Sequence, residues 1–235
     1  MGYYGYYYDW TYILVLIGAV ICMIASARVK TTYARYATIR SKSNMTGAEV
    51  AERILHQNGI YDVEINHVNG NLTDHYDPSR KVLNLSDAVY GSVSVAAVGV
   101  AAHECGHAIQ HFVGYKPLSI RSSLVPAANI GSTLSWPLII IGLIFSNGSS
   151  NMFIQAGIIM FSLAVLFQLV TLPVEFDASA RALKQLSGLG ILDSKELKGS
   201  RAVLRAAALT YVASAAAAIL QLLRLVLLFG GRRRD

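Results

Sequence analysis

The sequence predicts a mainly α-helical, multi-pass membrane protein carrying a small α/β portion outside the lipid. Three observations lead there. The chain is 54% hydrophobic and 14% charged with a mean hydropathy of +0.44, too apolar for a soluble domain of 235 residues. Several of its apolar runs are long enough to cross a bilayer. Most of the charged residues fall between those runs.

The first run, Trp10 to Ala27, lacks charge and closes a region (1–27) read as an N-terminal transmembrane anchor. Ala25-Ser26-Ala27 looks like a leader-cleavage site. A leader, however, carries positive charge before its apolar core, whereas here Arg28, Lys30, Arg35, Arg40 and Lys42 come after it. The run is therefore expected to be retained, with the following loop in the cytoplasm. Tyr3, Tyr4, Tyr6, Tyr7, Tyr8 and Trp10 suit an interfacial aromatic belt.

Ser122 to Val174 contains no Asp, Glu, Lys, Arg or His. It reads as a hairpin of two spans (122–174), about Leu124 to Phe145 and Phe153 to Leu172, around the polar turn Ser146 to Asn151. Region 175–205 is charged and returns to the first loop's side. The last apolar segment, within 206–235, holds Arg224 and ends in Arg232, Arg233 and Arg234. A complete fourth crossing puts those three arginines outside, against the positive-inside tendency.

Residues 28–121 read as a small cytoplasmic α/β portion. Thr46-Gly47-Ala48-Glu49 forms a capping box ahead of the apolar stripe Val50, Ile54 and Leu55, and Gly59 ends that helix. Tyr61 to Val68 alternates like a strand and runs into the hairpin-turn signal Asn69-Gly70-Asn71. After the turn Asp77-Pro78-Ser79, Lys81 to Leu85 is a second strand whose free edge is expected to offer a shelf for an extended peptide.

Then comes His103-Glu104-Cys105-Gly106-His107, an HExxH motif after the small apolar run Ser92 to Ala102 and before Gly114. On a helix, histidines four apart share one face and can grip one Zn²⁺. Glu104 beside them suits the general base that deprotonates an attacking water and passes the proton to a leaving amine. Cys22 and Cys105 are too few for a disulfide framework, and Cys105 reads as a packing residue. The net charge of +6 clusters beside apolar spans, which argues for headgroups and topology and against nucleic acid.

A catalytic zinc needs a third protein ligand and an open position. His111 lies eight residues past His103, about 12 Å along a helix, too far to share the ion. Gln110 and Val113 also break the HExxHxxGxxH pattern. Glu175, the first ionisable residue after the hairpin, is the better choice, with Asp193 next. Pro173 is expected to open its helix. Asp177 is expected to support a ligand histidine, and Arg181 to neutralise Asp177 or meet substrate. His75 and Tyr76 are candidate donors to the oxyanion of hydrolysis. Leu192-Asp193-Ser194 only half fits the aspartate motif of proteases that cut within the bilayer, and it lies in a charged loop.

AAHECGHAIQH, the preceding LTDHYDPSRKVLNLS, and PVEFDASARAL after a two-span hairpin together resemble the YugP-like family of bacterial membrane zinc metallopeptidases, over nearly the whole chain. The resemblance implies a gluzincin-type endopeptidase with His103, His107 and Glu175 as zinc ligands and Glu104 as base. It is similar in layout to the HtpX and CaaX endopeptidase families, which commonly carry ExxxD at the third ligand. Here position 179 is serine. The expected partners are a polypeptide substrate and the lipid bilayer, with a regulatory protein or a second copy compatible with the sequence. The expected location is the plasma membrane, with the site on the cytoplasmic side and a role in membrane-protein quality control. The competing reading is a non-catalytic zinc-binding membrane scaffold or adaptor, in which Glu104 would have no work as a base.

Overall fold

The computed structural model describes residues 9–145 and 152–230. The cluster Tyr3 to Tyr8, the turn Ser146 to Asn151 and the arginines 232 to 234 lie outside the described residues. Six helices and three strands follow in the order α1 (Tyr12–Ala37), α2 (Gly47–Gln57), β1 (Glu64–Val68), β2 (His75–Asp77), β3 (Val82–Ser86), α3 (Val95–Phe112), α4 (Lys116–Phe145), α5 (Met152–Gly188) and α6 (Ser194–Phe229). Helices α1, α4, α5 and α6 are long and apolar enough to cross a membrane. The protein is thus a mainly α-helical membrane protein with a small sheet. It divides into two compact units, one of residues 1–24, 123–169 and 212–235, the other of 25–122 and 170–211.

The first unit is built from apolar helix segments that expose large side chains such as Leu16, Val20, Ile140 and Ile144, as lipid-facing surfaces do. Small residues let these helices approach. Gly18 lies against Ala217, and a Cβ at Gly157 would collide with the Ser135 carbonyl and Ile139. The charge inside the last span has a partner: Arg224 Nη2 lies 2.8 Å from Asp9 Oδ2, and its guanidinium sits 4.1 Å above the Tyr12 ring. Asp9 precedes α1 and Arg224 lies near the end of α6, so these segments run antiparallel and α6 traverses this unit. Asp9→Ala leaves that guanidinium unpaired and is expected to lower the melting temperature in detergent by several degrees. Arg224→Leu should cost less, and the double variant should recover most of the loss, because a lone charge is worse than none.

The second unit centres on α3. Its small residues Ala97, Ala101, Ala102, Cys105 and Ala108 are buried against Val50, Ile54 and Leu55 of α2, Leu83 and Leu85 of β3, Ala182 and Leu186 of α5, and Leu204 of α6. Two α3 glycines permit close approach: a Cβ at Gly106 would strike the Ala178 backbone, and one at Gly99 the Ser200 side chain. Thr46 and Glu49 form the expected reciprocal cap, which holds the Glu49 carboxyl below its ordinary pKa through the Thr46 backbone N–H and then its hydroxyl. Gly59 and Gly114 take positive φ just beyond α2 and α3.

Three expectations are corrected. The strand before the zinc-motif helix has no free edge, because β3 is central in the order β1-β3-β2, parallel to β1 and antiparallel to β2. Asn69-Gly70-Asn71 therefore does not close a hairpin. The hairpin is β2 to β3 around Asp77-Pro78-Ser79, where the Asp77 carboxylate accepts the Ser79 N–H. Nor does Pro173 start a helix, since α5 runs unbroken from Met152 to Gly188. The lost N–H removes one backbone bond of that helix.

Candidate metal centre

The α3 helix displays His103 and His107 on one face, with ring centroids 4.8 Å apart and edge to face. Opposite them, α5 presents Glu175, 3% exposed. Its Oε2 lies 3.3 Å from His103 Nε2 and 3.6 Å from His107 Nε2. Among the described residues these three form a cluster whose ligand atoms all lie within 4.8 Å of one another. Tetrahedral zinc with ligands about 2.0–2.1 Å away places neighbouring ligand atoms about 3.4 Å apart. The donor set and spacing therefore fit that ion.

Both imidazoles are held so that Nε2 faces the cluster. His103 Nδ1 lies 3.2 Å from Ser179 Oγ, so the hydroxyl stands where the related ExxxD pattern has its carboxylate. His107 Nδ1 lies 3.1 Å from Gln110 Oε1, while Gln110 Nε2 donates to Asp177 Oδ2 and to the Val174 carbonyl, both at 2.8 Å. Asp177 thus reaches the histidine through an intervening amide, and Arg181 Nε closes the chain at 2.5 Å from the same carboxylate oxygen. Burial alone would lower the His107 pKa, yet the Glu175 and Glu104 carboxylates beside it raise it above the ordinary value. The cluster calls for positive charge.

The second oxygen of Glu175, Oε1, lies 3.6 Å from Arg121 Nη1. Arg121 is not among the candidates drawn from the sequence, although a signal was present. It is the last charge before the uncharged stretch, Glu175 is the first after it, and a hairpin brings its own ends together. Tyr211 of α6 is a second unforeseen neighbour, its side chain interacting with Glu175. Gln110→Ala is expected to weaken zinc binding about 10- to 100-fold, measured by competition with a chromophoric chelator, because it frees the His107 ring and strands Asp177.

Glu104, 8% exposed, lines one cavity with His103, Glu175 and Tyr211. Other candidates lie elsewhere. The Tyr76 hydroxyl lies 2.8 Å from His111 Nδ1 and His75 Nε2 lies 3.1 Å from Asn84 Nδ2, and neither residue is among the three that converge. Burial, then the nearby Asp62 and Asp77 carboxylates, push the Tyr76 pKa up to about 12. Asp193 caps α6, accepting the Lys195 and Glu196 N–H groups, and pairs with Lys42 at 2.6 Å. That pairing, with the cap, holds its pKa down to about 2. It is no metal ligand here. The Cys105 thiol is fully buried, which raises its pKa and leaves it a packing residue.

Two histidines of an HExxH helix with a glutamate from a second helix is the ligand pattern of zinc peptidases. The chain belongs to the family described as "Putative neutral zinc metallopeptidase", which matches residues 11–230. It is 47% identical over 205 residues, 87% of this chain and 90% of the relative, to the "Putative membrane protease YugP" of Bacillus subtilis (strain 168). No solved structure matches it.

Proposed function

We propose that the protein is a zinc-dependent membrane endopeptidase that hydrolyses peptide bonds of polypeptides at the cytoplasmic face of the plasma membrane. The observation that carries this is the convergence of His103 and His107 of α3 with Glu175 of α5, 72 residues beyond His103, on one point beside Glu104. His103 Nε2, His107 Nε2 and Glu175 Oε2 would hold the ion. Bound zinc supplies Lewis acidity to polarise oxygen.

The remaining work falls to side chains of the chain. Glu104 takes the proton of the attacking water and delivers it to the departing amine. Ser179 and the Asp177–Gln110 link keep the imidazoles from turning. Arg121 holds the second carboxylate oxygen of Glu175 in place. An extended substrate pairs with the edge strand β2, which packs beside α3 through Tyr76 and His111. The side assignment rests on Arg28, Lys30, Arg35, Arg40 and Lys42 following the first span. Membrane-protein quality control suits such a site.

The test is metal removal. Purified protein should contain one zinc per chain, lose cleavage of unfolded casein on dialysis against a chelator, and regain it with added Zn²⁺. Cleavage that survives complete zinc removal would refute the reading.

A further inference from the structure

We infer that the cavity beside the metal cluster is a substrate subsite that takes one uncharged aliphatic or aromatic side chain next to the scissile bond, with Leu72 as its outer wall. The inference rests on the proteolytic reading above and names the substrate class that reading leaves open.

The cavity holds about 170 Å³ and is bordered by His103, Glu104, Glu175 and Ser179. Its walls are apolar, supplied chiefly by Val29, Leu72, Val100, Leu204 and Ala208. Apolar cavities of about 150 Å³ hold a molecule the size of benzene. The space therefore suits a leucine or phenylalanine side chain, offers glycine no contact, and is too small for tryptophan.

Charge selects in the same direction. Asp74, Glu104 and Glu175 all border the cavity and would repel an acidic side chain. They are poor hosts for a lysine too. The Asp74 oxygens are engaged by the Ser86 N–H at 2.8 Å and its hydroxyl at 3.0 Å, and those of Glu175 by His103, His107 and Arg121. An ammonium would lose its water among valines and leucines with little to replace it.

Leu72 supplies a separate observation. It holds a φ of 58°, in the left-handed region that a branched side chain rarely adopts, and it is 44% exposed. A leucine at such a position incurs both backbone strain and exposed apolar surface. Strain of this kind gathers at ligand clamps. Leu72 stands two residues before Asp74 and three before β2, so a peptide pairing with that edge would pass beside it.

The experiment measures kcat/KM of the full-length zinc-loaded protein in detergent. The substrates are quenched-fluorescence peptides that differ only at the residues flanking one cleaved bond: glycine, alanine, leucine, phenylalanine, tryptophan, aspartate or lysine. Leucine and phenylalanine should exceed glycine by at least about tenfold and aspartate by about 100-fold, the range one apolar pocket provides. Leu72→Asn, which tolerates the left-handed backbone, should collapse the leucine-over-glycine preference. Ala208→Phe should fill the cavity and move the optimum to alanine. Cleavage of the whole series at similar rates, or a wild-type profile in both variants, overturns the subsite while leaving the protease reading intact. Failure of the wild type to cleave any peptide or casein overturns both.

Discussion

Glu104→Gln should bind zinc as the wild type does and hydrolyse casein about 10²- to 10⁴-fold more slowly, the usual share of a positioned proton carrier. A loss near 10³ corresponds to about 4 kcal/mol of barrier. The expectation follows from placement. Glu104 borders the cavity with His103 and Glu175, yet it is not one of the three residues whose ligand atoms converge. The amide preserves shape and can still hydrogen-bond, so the helix and cluster remain while the exchangeable proton site disappears. Metal content by mass spectrometry and initial rates on one preparation suffice. A Glu104→Gln protein of undiminished rate would mean that some other group moves the proton.

Glu175→Ala should lower zinc affinity by more than about 100-fold, exceeding the loss from changes around the ligands, and abolish proteolysis at ordinary zinc concentrations. The carboxylate makes two sets of contacts, Oε2 with both imidazoles and Oε1 with Arg121. Its removal leaves Arg121 beside two imidazoles with no anion between them, so the cluster repels a cation instead of attracting one. Glu175→Gln separates the effects: it keeps the volume, loses the charge, and should bind zinc more weakly than wild type but better than alanine. Retained zinc and activity in Glu175→Ala would show that the third ligand lies elsewhere.

The spans were legible because lipid imposes a simple requirement, about 20 residues without charge, and α1 and the α4–α5 hairpin meet it directly. The α2 start was legible because Thr46 and Glu49 satisfy one another locally. Glu175 could be reached from the sequence because an uncharged hairpin must return its ends to one side. What was hidden depends on contacts between distant residues. The parallel pairing of β1 with β3 leaves no turn signature, and three-residue β2 is too short for a periodic pattern. In the sequence Gln110 is only a break in a longer histidine pattern, yet its amide links His107 to Asp177, 67 residues beyond Gln110. In the sequence Ser179 is a departure from the related ExxxD. Its hydroxyl nonetheless reaches His103.

The separation of 72 residues between His103 and Glu175 has a consequence for biosynthesis. A nascent chain that has emerged only as far as α3 offers two imidazoles, an incomplete grip. The carboxylate arrives after both arms of the hairpin have been inserted and folded back, and closing so long a loop gives the ion a share in the stability of the finished protein. The three-residue cluster is thereby incomplete until the hairpin has folded back, whatever chemistry it later supports.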